Sequence, residues 1–143
     1  MTTLPDKPQP TIDVISEPFW TALREHRFLI QRCAQCDTPR FPAAPICTQC
    51  WSAEANWIAA SGRGNVYTYT IMYRAGMPAF AADVPYAIVI VDLEESVHVM
   101  SHLVHVDLEN ADTGHSIHIG MPVHLVYEDA DNELTLYRFE PSA

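Results

Sequence analysis

The residues best suited to chemistry in this sequence are its four cysteines, which form two Cys-x-x-Cys pairs. The first pair is Cys33 and Cys36, and the second is Cys47 and Cys50. In a Cys-x-x-Cys turn both sulfurs can face one point, so a hairpin that joins two such turns supplies four corners of a tetrahedron. Structural zinc prefers a closed four-thiolate site of this kind. The spacing therefore predicts one structural Zn²⁺ bound by all four cysteines.

Three other uses of the cysteines are disfavoured by the sequence. Disulfides need an oxidising compartment, and the N-terminal residues lack the apolar run of a signal peptide, which predicts a cytoplasmic protein. A redox-active pair would leave the second pair unexplained. Iron in a rubredoxin-like site is the minor competitor, because such loops favour Gly after each turn, where this chain has Asp37 and Trp51. Four thiolates leave no open coordination position, so the predicted metal is structural and no catalytic residue is assigned.

The predicted metal site must be positioned by a short ribbon, because the linker between the pairs contains little material for a core. Residues 37–46 include three prolines. Zinc binding would hold this segment folded, with roughly 10–16 kcal/mol of apparent binding free energy. A strand over residues 28–33 is predicted to enter the first turn, and residues 51–58 lead out of the second.

The N-terminal part is predicted to be an extended arm followed by a helix. Residues 1–15 are rich in proline, and Ser16 is a suitable N-cap for a helix that runs to about His26. This helix would place Phe19 and Trp20 on one side. The two rings either pack on the chain's own core or form an apolar surface for an acyl chain or another subunit, and the sequence leaves both readings open.

The remainder of the chain has the pattern of an all-β barrel. Five runs rich in β-branched and aromatic residues alternate with turn residues, at positions 66–73, 86–93, 97–106, 120–127 and 133–139. Short strands with tight turns and one longer connection predict a small closed barrel, best matched by the five-stranded OB-fold. The predicted fold class is mainly β. Its parts are an N-terminal arm and helix (1–27), a rubredoxin-like zinc ribbon (28–58) and an OB-fold (59–143).

The loop between the first two predicted barrel strands is a candidate docking surface. It carries Met77 and Phe80, and apolar loops of this kind are uncommon unless something covers them. Tyrosines that share one parity on the preceding strand are predicted to extend the same surface toward a partner protein: Tyr67, Tyr69 and Tyr73. The alternative is that the loop folds over the open end of its own barrel.

Charge and missing motifs narrow the function. The 143-residue chain has a formal net charge of -10, and residues 59–143 hold three Lys or Arg against twelve Asp or Glu. Because phosphate binding needs clustered Lys and Arg, nucleic acid is disfavoured as the main partner. No run of 18 apolar residues is present, so no membrane association is predicted.

The sequence also lacks a nucleophile elbow, a His-Glu-x-x-His motif and a phosphate-binding Gly loop, and no motif selects one of the seven histidines as a general base. These features indicate a binding or scaffolding module.

The order of the motifs resembles the zinc-ribbon OB-fold proteins of bacteria and archaea, over about residues 16–141. Besides the aromatic helix and the cysteine pairs, the matching stretches are Phe41-Pro42, Ser61-Gly62-Arg63-Gly64-Asn65-Val66-Tyr67, Pro85-Tyr86-Ala87, Ser101-His102-Leu103-Val104 and Gly120-Met121-Pro122-Val123. The chain departs from the family at Asp37, where Gly is usual, and at Ala43-Ala44, where Pro-Arg is common. Both departures fall in the ribbon loop.

The resemblance implies an accessory subunit. Members of the family associate with thiolase-like enzymes that act on acyl-CoA thioesters, including thiolases and retro-aldolases of steroid side-chain breakdown, and some are joined to hydratases. The ligand suggested for the family is acyl-CoA, placed near the ribbon and the barrel. If all four cysteines bind zinc, the partner must provide the nucleophile of thiolase chemistry. Two alternatives stay open: a module that binds single-stranded nucleic acid, and a stand-alone enzyme that uses a barrel histidine.

Overall fold

The chain folds into one helix and two β-sheets in a computed structural model that describes residues 6–108, 117–130 and 133–142. Within these residues the elements, in chain order, are α1 (Glu17–Arg24), β1 (Leu29–Cys33), β2 (Pro39–Arg40), β3 (Ala55–Ala59), β4 (Arg63–Met72), a 3₁₀ turn (Pro78–Phe80), β5 (Tyr86–Leu93), β6 (His98–Leu103), β7 (Pro122–Asp129) and β8 (Thr135–Pro141).

The predicted fold class is confirmed. The first three strands form an antiparallel sheet in the order β2-β1-β3, which is the ribbon. The other five close a barrel in the order β4-β5-β6-β8-β7, as in an OB-fold. Within the described residues, none of the helical structure is long and apolar enough to cross a membrane. Residues 109–116, in the longer connection expected between the strands predicted at 97–106 and 120–127, lie outside the described part of the chain.

The barrel core comes from the period-2 pattern of its strands. On β5, Ala87, Val89 and Val91 are fully buried, while the residues between them are only half-buried. Val66 of β4 and Phe139 of β8 fill the same interior. Burying aliphatic side chains of this size contributes roughly 1.5–3 kcal/mol each, which makes this interior the main source of barrel stability.

The sequence predicted the N-cap residue of helix α1, but not how the N-terminus is capped or where the helix ends. Ser16 is the N-cap residue as predicted, but its side chain does not cap the helix: Ser16 Oγ accepts from the Asp13 N–H at 3.1 Å, and Asp13 Oδ1 accepts from the Ser16 N–H at 2.7 Å. The helix ends at Arg24, slightly before the predicted end at His26, because His26 adopts a left-handed backbone with φ 58°. The N–H groups of His26 and Arg27 donate back to the last helical turn, as in a Schellman motif.

An aromatic cluster joins the helix, the ribbon and the barrel. Phe28, just before β1, lies 5.2 Å from Phe19 of α1, 5.3 Å from Phe41 of the ribbon loop and 5.3 Å from Tyr137 of β8, measured between ring centroids. Phe19 is only 6% exposed. Of the two readings left open for Phe19, the structure shows packing on the chain's own core, although the ring also lines the groove described below.

Candidate metal centre and apolar groove

The four cysteine sulfurs come together at the tip of the ribbon. All four Sγ atoms lie within 4.8 Å of one another, with 3.5 Å between Cys33 and Cys50 and 3.6 Å between Cys36 and Cys47. A tetrahedral zinc with Zn–S bonds of 2.3 Å requires sulfurs about 3.8 Å apart, so this arrangement fits the ion. Among the described residues, these cysteines form the one group whose Cys, His, Asp or Glu atoms could hold a metal.

Both cysteine turns have the same backbone geometry. The residues after the second cysteine of each pair, Asp37 and Trp51, have left-handed backbones with φ 62° and 68°. Their N–H groups donate to the carbonyls of Cys33 and Cys47 at 3.0 and 2.9 Å. In each turn the second residue after the first cysteine also donates its N–H to that cysteine's sulfur, at 3.4 and 3.3 Å. Gly is favoured after such turns because L-residues pay about 1–2 kcal/mol for this conformation.

The thiols cannot all ionise at this distance without a cation between them. A hydrogen bond from the Thr38 hydroxyl lowers the pKa of Cys36 to about 6. At Cys50 the backbone N–H of Ser52 lowers the pKa, but hydrogen bonding to Cys33 and burial outweigh it and raise the pKa to about 12. A divalent cation removes the conflict by stabilising every thiolate at once. The donor set thus calls for a soft, tetrahedral ion such as zinc.

An apolar groove of about 360 Å³ runs between α1, the ribbon and the outer side of β6. Its lining residues are Asp13, Ser16, Phe19, Trp20, Leu29, Ile30, Phe41, Pro42, Ala43, Trp57, His98, Met100 and Tyr137. Trp20 and Trp57 contribute large half-buried rings, and Met100 is 63% exposed. Concave sites with an apolar lining and a few polar groups are typical of small-molecule binding.

The predicted docking loop is divided between exposed and packed residues. Met77 is 46% and Tyr73 is 59% exposed. Phe80 is half-buried, with its ring centroid 6.2 Å from that of Tyr86 and the Lys7 ammonium 5.3 Å away. Part of the loop therefore folds onto the chain itself, while Met77 and Tyr73 stay open to solvent.

A β-bulge interrupts β4, so the three tyrosines do not share one side of the strand as their parity in the sequence predicted. The register with β5 shifts between Val66 and Thr68, with Tyr67 at the shift. After the bulge Tyr69 lies opposite Val89 and so is on the same side of the sheet as this buried residue, although Tyr69 itself is 37% exposed. Tyr67 is 55% exposed, and its ring centroid lies 4.4 Å from that of His98, with the two rings tilted by 33°.

Sequence reasoning also missed a histidine pair on the barrel surface. The carboxylate of Glu140 on β8 accepts a hydrogen bond from His124 Nε2 of β7 at 2.7 Å. Its other oxygen accepts a hydrogen bond from His105 Nδ1, in the segment after β6. Hydrogen bonds from His105 and then His124 lower the pKa of the Glu140 carboxyl. These residues are 16 to 35 positions apart in the chain, so only the strand order β6-β8-β7 could have predicted the cluster. His115 lies outside the described residues.

A rubredoxin-like ribbon followed by an OB barrel defines a class of two-part zinc-ribbon proteins, and comparison with known proteins identifies the family. Residues 20–54 match the family described as "ChsH2, rubredoxin-like zinc ribbon domain". Residues 57–128, half of the chain, match "ChsH2, C-terminal OB-fold domain". The chain belongs to this ChsH2, or DUF35, family of zinc-ribbon OB-fold proteins. The family and the sulfur geometry agree on a structural zinc, as predicted.

Similar proteins include some that are named as enzyme subunits and others that are named as scaffold proteins. A protein of Thermomonospora curvata named "Probable enoyl-CoA hydratase alpha subunit" is 36% identical over 95% of this chain, which spans 40% of that protein's length. A "DUF35 domain-containing scaffold protein" of Methanocaldococcus jannaschii is 34% identical over 85% of this chain and 87% of its own. A solved structure described as "Ltp2-ChsH2(DUF35) aldolase" superposes with a TM-score of 0.80 at 36% identity, covering 94% of this chain and 100% of the other.

Proposed function

We propose that this chain is a non-catalytic accessory subunit of a thiolase-like enzyme, either a thiolase or a retro-aldolase, that acts on acyl-CoA thioesters. The observation that carries the proposal is the apolar groove where helix, ribbon and barrel meet, in a chain whose four cysteines are all gathered at the metal centre. The groove offers an acyl site, and the chain keeps no separate thiol as a nucleophile. The names of the scaffold relative and of the two-part aldolase support the same reading.

The partner is proposed to dock on the open part of the loop between β4 and β5. Met77 and Tyr73, both in this loop, are each about half exposed. Aromatic residues and Met are enriched at the centres of protein interfaces, and exposed apolar loops mark such sites. This surface includes no residue of the groove lining, so docking and acyl binding use separate residues of the chain.

Association with the partner tests the proposal. The zinc-loaded chain should retain a thiolase-like subunit from an extract of the native host, identified by mass spectrometry. Met77→Asp should weaken that association at least about tenfold, because it places a charge at the centre of the docking surface. Met100→Asp is the matched control, since Met100 is also exposed but lies in the groove.

The two variants separate the possible results. Met77→Asp must keep the zinc content and thermal unfolding of the parent chain, because Met77 is on the surface. Equal association of both variants with the partner would refute this docking surface. Capture of no thiolase-like subunit, together with turnover of an acyl-CoA by the lone chain, would refute the accessory role itself.

A further inference from the structure

The groove is built to hold apolar groups and contains no site for phosphate. None of the described residues in its lining is Lys or Arg, and the carboxylate among them is Asp13. Phosphate recognition in proteins relies on Arg or Lys side chains or on free N–H groups at a helix N-terminus. An acyl-CoA carries three phosphate groups at its nucleotide end, so the nucleotide end and this groove do not match in charge.

The N-terminus of α1 faces the groove but is already occupied. Asp13 Oδ1 accepts from the Ser16 N–H at 2.7 Å, and the Asp13 carbonyl accepts from the Glu17 N–H at 2.9 Å. These hydrogen bonds with Ser16 are the main reason that the pKa of Asp13 is lowered, which keeps it a carboxylate. A negative group at this helix end repels a phosphate that would otherwise be attracted there.

Two arginines near the groove already make contacts with other residues. Arg40 adjoins the wall at Phe41, but its Nε donates to Gln31 Oε1 at 2.7 Å and its Nη2 donates to the Ala44 carbonyl at 2.9 Å. Its remaining nitrogen, Nη1, is buried and so cannot be reached by a ligand. On the other side of α1, Arg24 pairs with Glu133 at 3.2 Å. Neither of these two guanidiniums is free to bind a diphosphate at the groove, and Arg32, which is exposed on β1, is not among the lining residues.

We infer that this chain recognises only the acyl end of an acyl-CoA thioester, and that the phosphates of coenzyme A are bound by cationic groups of the partner enzyme. The inference rests on the proposed acyl-binding function and divides the substrate between the two proteins. The volume of the groove supports this division of the substrate. About 360 Å³ lies near the lower end of the range for small-molecule sites and suits an acyl group better than a whole acyl-CoA. The acidic chain, with its net charge of -10, would repel the nucleotide end and favour this orientation.

Paired thioesters test the division directly on the full, zinc-loaded chain. The probes are decanoyl-CoA, decanoyl-N-acetylcysteamine, which has the same thioester without phosphates, and free coenzyme A. Calorimetry gives the dissociation constants, and the fluorescence of Trp20 and Trp57 reports binding because both rings line the groove. We expect the two decanoyl thioesters to bind within about threefold of each other, coenzyme A not to bind, and the constants to stay level between about 50 and 500 mM salt.

A substitution in the groove tests whether the decanoyl thioesters bind there. Met100→Asp should weaken both decanoyl thioesters alike, by about tenfold or more, because it puts a charge into an apolar lining. Ile119→Asp, at an exposed residue outside the groove, should leave both constants unchanged. These results would assign the acyl end to the groove and nothing else of the ligand to this chain.

The contrary results are distinguishable. Binding of decanoyl-CoA at least about tenfold tighter than its phosphate-free analogue, weakening steeply with salt, would overturn the division of the substrate and leave the acyl-binding function standing. Binding of neither thioester would overturn both. In that case loss of partner association in Met100→Asp would identify the groove as a protein-docking surface.

Discussion

Replacing Tyr137 by Leu tests whether the ribbon and the barrel form one folding unit. Tyr137 is the contribution of β8 to the aromatic cluster. Its ring meets Phe28 at 5.3 Å, Phe19 at 5.8 Å and Phe41 at 6.2 Å, in each case edge to face. Leucine keeps the site apolar and removes these three ring contacts, which join the barrel to the helix and to the ribbon.

The expected cost follows from those contacts. An aromatic pair contributes about 0.5–1.5 kcal/mol beyond the area that it buries, so three pairs amount to roughly 1.5–4.5 kcal/mol. The smaller leucine also leaves a cavity, which adds to the loss. We expect Tyr137→Leu to lower the free energy of unfolding by about 2–4 kcal/mol. For a chain of this length that is a fall in Tm of about 5–15 °C.

Cobalt-substituted protein allows the two parts to be followed separately. The Co²⁺–thiolate absorption reports on the ribbon, and far-ultraviolet circular dichroism reports mainly on the barrel. In the parent chain both signals should be lost at one temperature, and in Tyr137→Leu both should be lost earlier. Tyr73→Leu is the matched control, because Tyr73 is 59% exposed and should change stability by less than about 0.5 kcal/mol. Equal melting of the two variants, or separate melting of the two signals in the parent chain, would refute the shared core.

Two further predictions concern the metal and a close backbone contact. Elemental analysis should give about one zinc per chain, and the cobalt form should show a tetrathiolate spectrum; iron as the native metal, or an intact ribbon after loss of two cysteines, would refute the assignment. Gly64→Ala should destabilise the barrel by about 1–3 kcal/mol in denaturant unfolding, because a Cβ at Gly64 would overlap the carbonyl oxygen of Asp92 on β5. Gly76→Ala is its control, since a Cβ there meets nothing within 4 Å, and equal stability of the two variants would contradict the close approach.

The sequence predicted best those features that depend on local spacing. The two cysteine pairs indicate the metal centre because the geometry of a Cys-x-x-Cys turn is local and depends little on the rest of the fold. The strand around Val89 is equally readable, since its apolar run is bounded by turn residues and fits a buried strand. Strand ends were less accurate: β6 spans His98–Leu103, inside the predicted 97–106. Hydrogen-bond partners at a strand end are set by the neighbouring strands, which a local pattern does not contain.

Features that depend on register or on distant packing could not be predicted. One extra residue at Tyr67 reverses the side on which Tyr69 lies, and no residue type near it marks a bulge. Phe19 and Trp20 are adjacent, similar in character and both in the groove lining, yet Phe19 is almost fully buried in the core and Trp20 is only half-buried. Which ring turns inward depends on where Phe28 and Tyr137 lie, and that is a property of the assembled fold.

The metal centre supports the proposed function through structure and has no direct chemical role in it. One wall of the groove is formed by Phe41, Pro42 and Ala43, which follow the two-residue strand β2. A strand this short pairs with β1 at only two positions, Gln31 with Arg40 and Arg32 with Pro39, and cannot hold the wall alone. Zinc fixes the ends of the same loop at its cysteines, and the Arg40–Gln31 hydrogen bond and the ring of Phe41 fix its middle. The ion that closes the ribbon would therefore also help to hold this wall of the groove, together with the hydrogen bonds and ring contacts of the loop.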